Sequence, residues 1–256
     1  MSPAGGPPLG APGDGPFQPL AGGPFRFACH PDVPCFNECC ADLNLVLTPY
    51  DVLRLKNRLG MTSDSFLDEY TAARPPEGGR FPMIMLRMTD RPGRPCPFVT
   101  PQGCSVYEDR PGACRTYPLG RGSASGGREA FFLVKEAHCR GFEAGRDWTV
   151  QDWLADQGLT EYNLFNDLWM EVITSKASLG PDEHRGRKIQ MFFMVSYNLD
   201  RFRDFVFQSP FLARFDVPAE TVEAARRDDA ALLRLGLDWL AFALYGKKTI
   251  AVRQPA

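Results

Sequence analysis

The chain has no excess of positive charge: 29 Lys and Arg stand against 31 Asp and Glu in 256 residues. No basic surplus is available to neutralise phosphates, so nucleic acid is excluded as a partner on electrostatic grounds. Long hydrophobic runs are missing as well. The longest are Ala130 to Val134, Met191 to Val195 and Trp239 to Tyr245, far short of the ~20 apolar residues that cross a bilayer. No membrane span is expected. Residues 1–25 hold seven Pro and seven Gly and no Lys or Arg, so the basic start and apolar stretch of an export signal are absent. A segment so poor in packing side chains cannot offset its chain entropy by burial, and residues 1–25 are expected to be a disordered tail. Without an export signal the expected compartment is the cytoplasm, where structural disulfides are rare.

Several catalytic signatures are also missing. The sequence has no G-x4-G-K-[ST] phosphate loop, no G-x-S-x-G elbow, no H-E-x-x-H helix and no C-x3-C-x2-C radical-cofactor motif. Gly120 to Gly127 is rich in glycine but lacks the dinucleotide spacing. It reads as a flexible hairpin connection. The aromatic residues from Phe192 to Phe215 invite a base-stacking reading. Aromatics at helical spacing normally build a core, however, and no basic patch accompanies them. His184-Arg-Gly-Arg-Lys188 reads as a solvated helix start.

What the chain does have is eight cysteines, at Cys29, Cys35, Cys39, Cys40, Cys96, Cys104, Cys114 and Cys139. Four fall between residues 29 and 40, and none follows Cys139. Cysteines used as small core residues would be scattered. Clumped thiols in a reducing compartment point instead to metal, since thiolate selects zinc or iron–sulfur clusters and four thiolates complete a tetrahedral site. All eight are candidate ligands. The spacing C-x5-C-x3-C-C is not a C-x2-C knuckle. Neighbouring side chains in an extended stretch point to opposite faces, so Cys39 and Cys40 either serve two ions or divide between ligation and packing. His30 and His138, beside Cys29 and Cys139, leave a Cys3His site open, although each also reads as a surface residue. Arg110 and Arg115 flank Cys114. They either offset thiolate charge or pair with Glu108 and Asp109 on a turn.

The order Cys96-Pro-Phe, Gly103-Cys104-Ser-Val-Tyr-Glu-Asp-Arg-Pro111 and Cys114-Arg-Thr-Tyr-Pro118, preceded by Cys35-Phe-Asn-Glu-Cys39-Cys40, resembles the bacterial cysteine-cluster (YkgJ-like) family. Leu47 to Leu55 and Phe66 to Tyr70 resemble its connecting helices, and the resemblance covers about residues 29–142. It implies a zinc- or iron-chelating domain. Flagellin lysine N-methylases resemble the same family, which implies an alternative: a cluster-dependent protein-lysine methyltransferase using S-adenosylmethionine.

The expected fold is α+β. A tail over 1–25 precedes a cysteine-cluster module over 26–145, with a few short strands, and then a mainly helical region over 146–256 packed with it. Cys29 to Cys40 should be a loop broken by Pro31 and Pro34. Thr48 and Pro49 should open a helix that Gly60 stops, and a second should run from Ser63 to Tyr70. Strands are expected over Met83 to Met88 and Ala130 to Val134. Later helices are expected after Thr149, around Leu164 to Ile173, from Pro181, and between Val217 and Tyr245. The expected partners are a metal ion and a protein.

Overall fold

Thr48 opens the first helix as its sequence requires. Its hydroxyl accepts from the Asp51 amide at 3.4 Å, and the Asp51 carboxylate takes the Thr48 amide at 2.8 Å. Two otherwise orphaned N–H groups are satisfied reciprocally. The computed structural model describes residues 17–20, 22–75, 80–124 and 128–254.

Twelve short strands and ten α-helices occur among these residues. The strands are β1 (Phe17–Pro19), β2 (Phe25–Phe27), β3 (Val46–Leu47), β4 (Thr71–Arg74), β5 (Met83–Leu86) and β6 (Val99–Thr100). They continue with β7 (Gly103–Cys104), β8 (Leu119–Ala124), β9 (Arg128–Val134), β10 (Arg146–Trp148), β11 (Phe215–Asp216) and β12 (Ala251–Val252). The helices are α1 (Pro49–Leu59), α2 (Ser63–Tyr70), α3 (Gly112–Thr116), α4 (Val150–Asp156) and α5 (Thr160–Ile173). They end with α6 (Arg185–Tyr197), α7 (Leu199–Gln208), α8 (Phe211–Arg214), α9 (Ala219–Arg227) and α10 (Asp229–Tyr245). The fold is α+β.

The strands form small antiparallel sheets, in the orders β1-β9-β8 and β3-β5-β4, with the pairs β2-β10, β6-β7 and β11-β12. Most of them stand where chemistry-bearing loops begin or end. The pair β6-β7 lies between Cys96 and Cys114, and β9 leads into Cys139.

One buried cluster runs through both halves of the chain. Leu55 and Phe66 of α1 and α2 share it with Phe192, Phe202 and Leu240 of α6, α7 and α10. At ~1.5–3 kcal/mol for each fully buried large apolar side chain, this cluster is the main favourable term of the fold. Helices α6, α7 and α10 approach closely at Gly236, where an added Cβ would stand 2.6 Å from Val195 and 2.8 Å from Phe202. A second, smaller cluster joins Phe25, Phe27, Leu119, Trp148 and Trp153.

Some boundaries depart from the sequence reading. Residues 1–16 and 21 of the expected tail lie outside the described residues. Phe17–Pro19, however, pairs with Phe132–Val134, and Phe25 is buried. The physical reason is a free strand edge on β9 and an apolar slot beside Trp153, which two Phe side chains fill. The glycine-rich stretch expected to be a flexible connection is strand through Ala124, in register with Arg128–Leu133. Its Gly120 leaves room for the Phe132 ring. The remaining turn, 125–127, lies outside the described residues, as do 76–79 of the Arg74 to Arg80 loop. Strand β5 stops at Leu86, and the helix expected from Pro181 starts as a 3-10 turn, with α6 beginning at Arg185. The Val217 to Tyr245 segment divides at Asp228, which has extended backbone and caps α10 by accepting the Ala231 amide at 2.7 Å.

Candidate metal centre

The first four cysteines lie in a chain of tight turns. The amides of Val33, Phe36, Glu38 and Cys40 donate to carbonyls three residues back, at 2.8–3.0 Å. Asn37 takes a left-handed conformation (φ 71°) and its Nδ2 donates to the Thr100 carbonyl at 2.9 Å. That bond ties the loop to the β6-β7 hairpin. Gly103 permits the same contact from the other side: with φ 116°, it has only the Phe36 ring at 3.1 Å where a Cβ would be. The Cys96 amide then donates to the Cys40 carbonyl at 2.8 Å. Two cysteine groups far apart in sequence thus become neighbours through the backbone.

Cys104 sits on β7 opposite Val99, and Cys114 rides on α3. The N-terminal amide of that helix, Gly112, donates 2.7 Å to the Asp51 carboxylate. Asp51 is 1 % exposed, so one carboxylate both caps α1 and fixes the helix that carries Cys114. Sequence reasoning missed it. The signal was present in Thr48-x-x-Asp51, the spacing of a capping box with Asp in place of Glu.

One backbone amide bonds a sulfur directly: Arg140 N–H donates to Cys35 Sγ at 3.1 Å. The amides of Phe98, Val106 and Gly141, each two residues after a cysteine, favour the ionised forms of Cys96, Cys104 and Cys139. Such donors favour the charged thiolate over the thiol. Burial opposes them. It pushes Cys29 up to about 11, aided by the neighbouring Cys39, Cys35 and Cys139, and pushes Cys114 up to about 12. Cys114 nevertheless keeps solvent-exposed surface amid this dense protein. Cys39 and Cys40 hydrogen-bond to each other, which lowers Cys39 to about 7 and raises Cys40. Crowded thiols whose charges repel need a cation if all are to ionise, and metal binding releases their protons.

Arg110 and Arg115 are each 7 % exposed. The expected pairing with the Glu108 or Asp109 carboxylate is not made. Asp109 is held by Arg54 at 2.6 Å instead. Arg110 stacks 3.7 Å over Tyr107 and donates to Gln157, and its charge favours ionised Cys29 and Cys104. Arg115 is structural: it donates to the carbonyls of Arg110, Glu108 and Gln157, which ties α3 to the end of α4.

Cys29, Cys35, Cys39 and Cys139 line one recess with Tyr117 and His138. The buried Tyr117 hydroxyl lies against Cys139 without a well-formed hydrogen bond. His138 and His30 are exposed and face Glu136 at 3.4 Å and Asp32 at 3.5 Å. Among the described residues no three donor side chains already stand at coordinating distance, so the thiols must turn toward an ion to hold it. The donor set suits one: the cysteines are free thiols, the Arg140 amide donates to one of them, and a buried guanidinium stands beside them.

Residues 28–140 match the CxxCxxCC family, described as a "putative zinc- or iron-chelating domain". The matched stretch starts one residue before Cys29 and ends one after Cys139, so it contains every cysteine of the chain. This similarity supports a metal-binding role. No curated protein and no solved structure matches the chain. No helix among the described residues is long and apolar enough to cross a membrane.

Proposed function

We propose that this protein binds zinc through the thiolates of Cys29, Cys35, Cys39, Cys40, Cys96, Cys104, Cys114 and Cys139, and that the bound metal locks its cysteine-bearing loops together. The observation that carries this reading is the recess lined by Cys29, Cys35, Cys39 and Cys139, where the Arg140 amide also donates to Cys35 Sγ at 3.1 Å. An amide so placed offsets the negative charge that thiolates retain around a dication. Zinc is taken as the ion because four thiolates close a tetrahedral structural zinc site without any further component. Methyl transfer draws no support from the family description, which names chelation alone. The reading requires reduced thiols, and therefore a reducing compartment such as the cytoplasm. The outward role it leaves is metal handling or contact with a protein partner.

The test is the metal content and absorbance of the full chain purified anaerobically with reductant and with metals supplied. Colourless protein with stoichiometric zinc is expected. Brown protein containing iron and sulfide would replace zinc by a cluster, and protein that holds neither metal yet melts cooperatively would refute metal binding altogether.

A further inference from the structure

We propose that the cysteines form two adjoining four-thiolate centres, an outer one of Cys29, Cys35, Cys39 and Cys139 and an inner one of Cys40, Cys96, Cys104 and Cys114, of which the outer exchanges its ion and the inner holds the fold. The inference rests on the metal-binding reading above and goes on to divide its ligands.

The recess provides the first argument. Its lining contains all four outer cysteines and none of the inner four. The outer members come from both ends of the cysteine region, and the Arg140 amide at 3.1 Å from Cys35 Sγ joins those ends directly. The inner members have their own scaffold. Cys40 receives the Cys96 amide through its carbonyl, β6-β7 returns the chain from Cys96 to Cys104, and Asp51 fixes the helix of Cys114. Cys114 in turn feels Cys96 most among the thiols, then Cys104, and then Cys39 across the border between the groups.

The two groups also lean on different parts of the core. Cys96 and Cys104 pack against the large cluster shared with the C-terminal helices. Cys139 packs against the small cluster of Phe25, Phe27, Leu119, Trp148 and Trp153. An ion in the inner centre therefore cross-links segments that pack against the large cluster. An ion in the outer centre cross-links two loops on the rim of a minor cluster.

Each group has one exposed thiol, Cys29 in the outer and Cys114 in the inner. The outer recess adds an exposed nitrogen donor, His138, whereas Cys96 and Cys104 of the inner group lie beside the buried Phe98 and Val106 in sequence. The border between the centres is the pair Cys39–Cys40, whose thiols are near enough to hydrogen-bond. One residue of the pair lines the recess and its neighbour does not.

The test is zinc release from the full-length protein to excess 4-(2-pyridylazo)resorcinol, followed by absorbance. Total zinc is measured independently. The wild type is expected to hold two zinc ions per chain, one leaving at least about tenfold more slowly than the other, a gap of ~1.4 kcal/mol in activation free energy. Cys29→Ser and Cys139→Ser should each lack the fast equivalent, keep the slow one and still melt cooperatively. Cys104→Ser should lose the slow equivalent. If that variant does not fold, wild-type protein sampled after the fast phase replaces it, and its melting temperature should be nearly unchanged. A single zinc per chain, release of both ions in one phase, or loss of both equivalents in Cys139→Ser would overturn the division while leaving metal binding intact. Zinc-free wild-type protein would instead refute the reading on which the division rests.

Discussion

Helices α5, α6, α7 and α10 bury Trp169, Phe192, Phe202, Trp239 and a row of leucines, and they require nothing beyond apolar packing to hold their places. The cysteine-bearing loops have little of this. From Cys29 to Cys40 Val33 alone is buried, and from Lys135 to Asp147 Gly141 alone is. Hydrogen bonds fix the turns locally, but a net contribution of ~1 kcal/mol each cannot outweigh ordering some two dozen residues at ~1–2 kcal/mol apiece. One part of the molecule is organised by the hydrophobic effect. The other is left in want of cross-links, and it carries Cys29, Cys35, Cys39, Cys40 and Cys139.

The largest effect should come from removing those cross-links. Stripping the metal with a strong chelator, or replacing Cys104 by Ser, should lower the melting temperature sharply. Structural zinc contributes ~10–16 kcal/mol in small peptides, and even a fraction of that rivals a typical net stability of ~5–15 kcal/mol. Differential scanning fluorimetry with and without added zinc measures the loss. An unchanged melting temperature would mean that the loops are self-supporting and would erase the contrast between the two regions.

Truncating the apolar region should separate stability from metal. Phe202→Ala removes a fully buried ring that touches Phe205, Phe211 and Trp239. A loss of ~3–5 kcal/mol is expected in chemical denaturation, with the folded variant retaining wild-type zinc content. Reduced zinc in the folded variant would show that the helices also shape the thiol site.

A smaller effect is expected where α1, which Asp51 links to the helix of Cys114, meets α10 through charge. Lys56 of α1, 5 % exposed, lies 2.9 Å from Asp229 of α10, which also receives Arg203 at 2.5 Å. Burial alone would raise the Asp229 carboxyl, but Lys56, Asn57 and Arg203 outweigh it and hold the group below the usual carboxylate range. Because the folded-state value is depressed, this stabilisation is complete above the unfolded value near ~4 and is lost as pH falls through the folded value. Asp229→Asn should cost ~1–2 kcal/mol at neutral pH, since the buried Lys56 ammonium loses its nearer carboxylate and keeps Asp200 at 3.7 Å and Asn57 Oδ1 at 2.9 Å. The gap to wild type should narrow in melts below about pH 4. A gap independent of pH would remove the carboxylate from the account.

The smallest change should be at the edge strand. A chain starting at Leu20 rather than Phe17 loses three paired residues of β1 and the edge contact of Phe17 with Phe132. A cost of no more than ~1 kcal/mol is expected, with zinc content unchanged. Loss of zinc on this cut would link β1 to the outer thiols through β9.

Much of the local structure could be read without coordinates because its causes are local. Thr48 and Gly60 delimit α1, and Thr149 starts α4, because caps act within a few residues. The leucines at 232, 233, 237, 240 and 244 are all buried, since helical period reports a buried face directly. Phe17 and Phe25 were misread because tail composition says nothing about a distant strand edge or an apolar slot. Leu164 shows the same limit from the other side: it belongs to α5 but stays exposed, while Tyr162 and Trp169 are buried instead.

By itself the sequence determined the chemistry: eight thiols clumped before residue 140, a balanced charge and a helical second half. Thiol softness and helical period are properties of residue type and spacing, so both survive in a linear string. Only the tertiary structure decided which cysteine-bearing segments become neighbours. Cys35 faces the amide of Arg140, Cys40 holds the amide of Cys96, and Arg110 turns to the thiols while Arg115 ties helices together. These encounters join segments that are far apart along the chain. They depend on how the β6-β7 hairpin, α3 and the Cys29–Cys40 turns dock, and no local period records that docking.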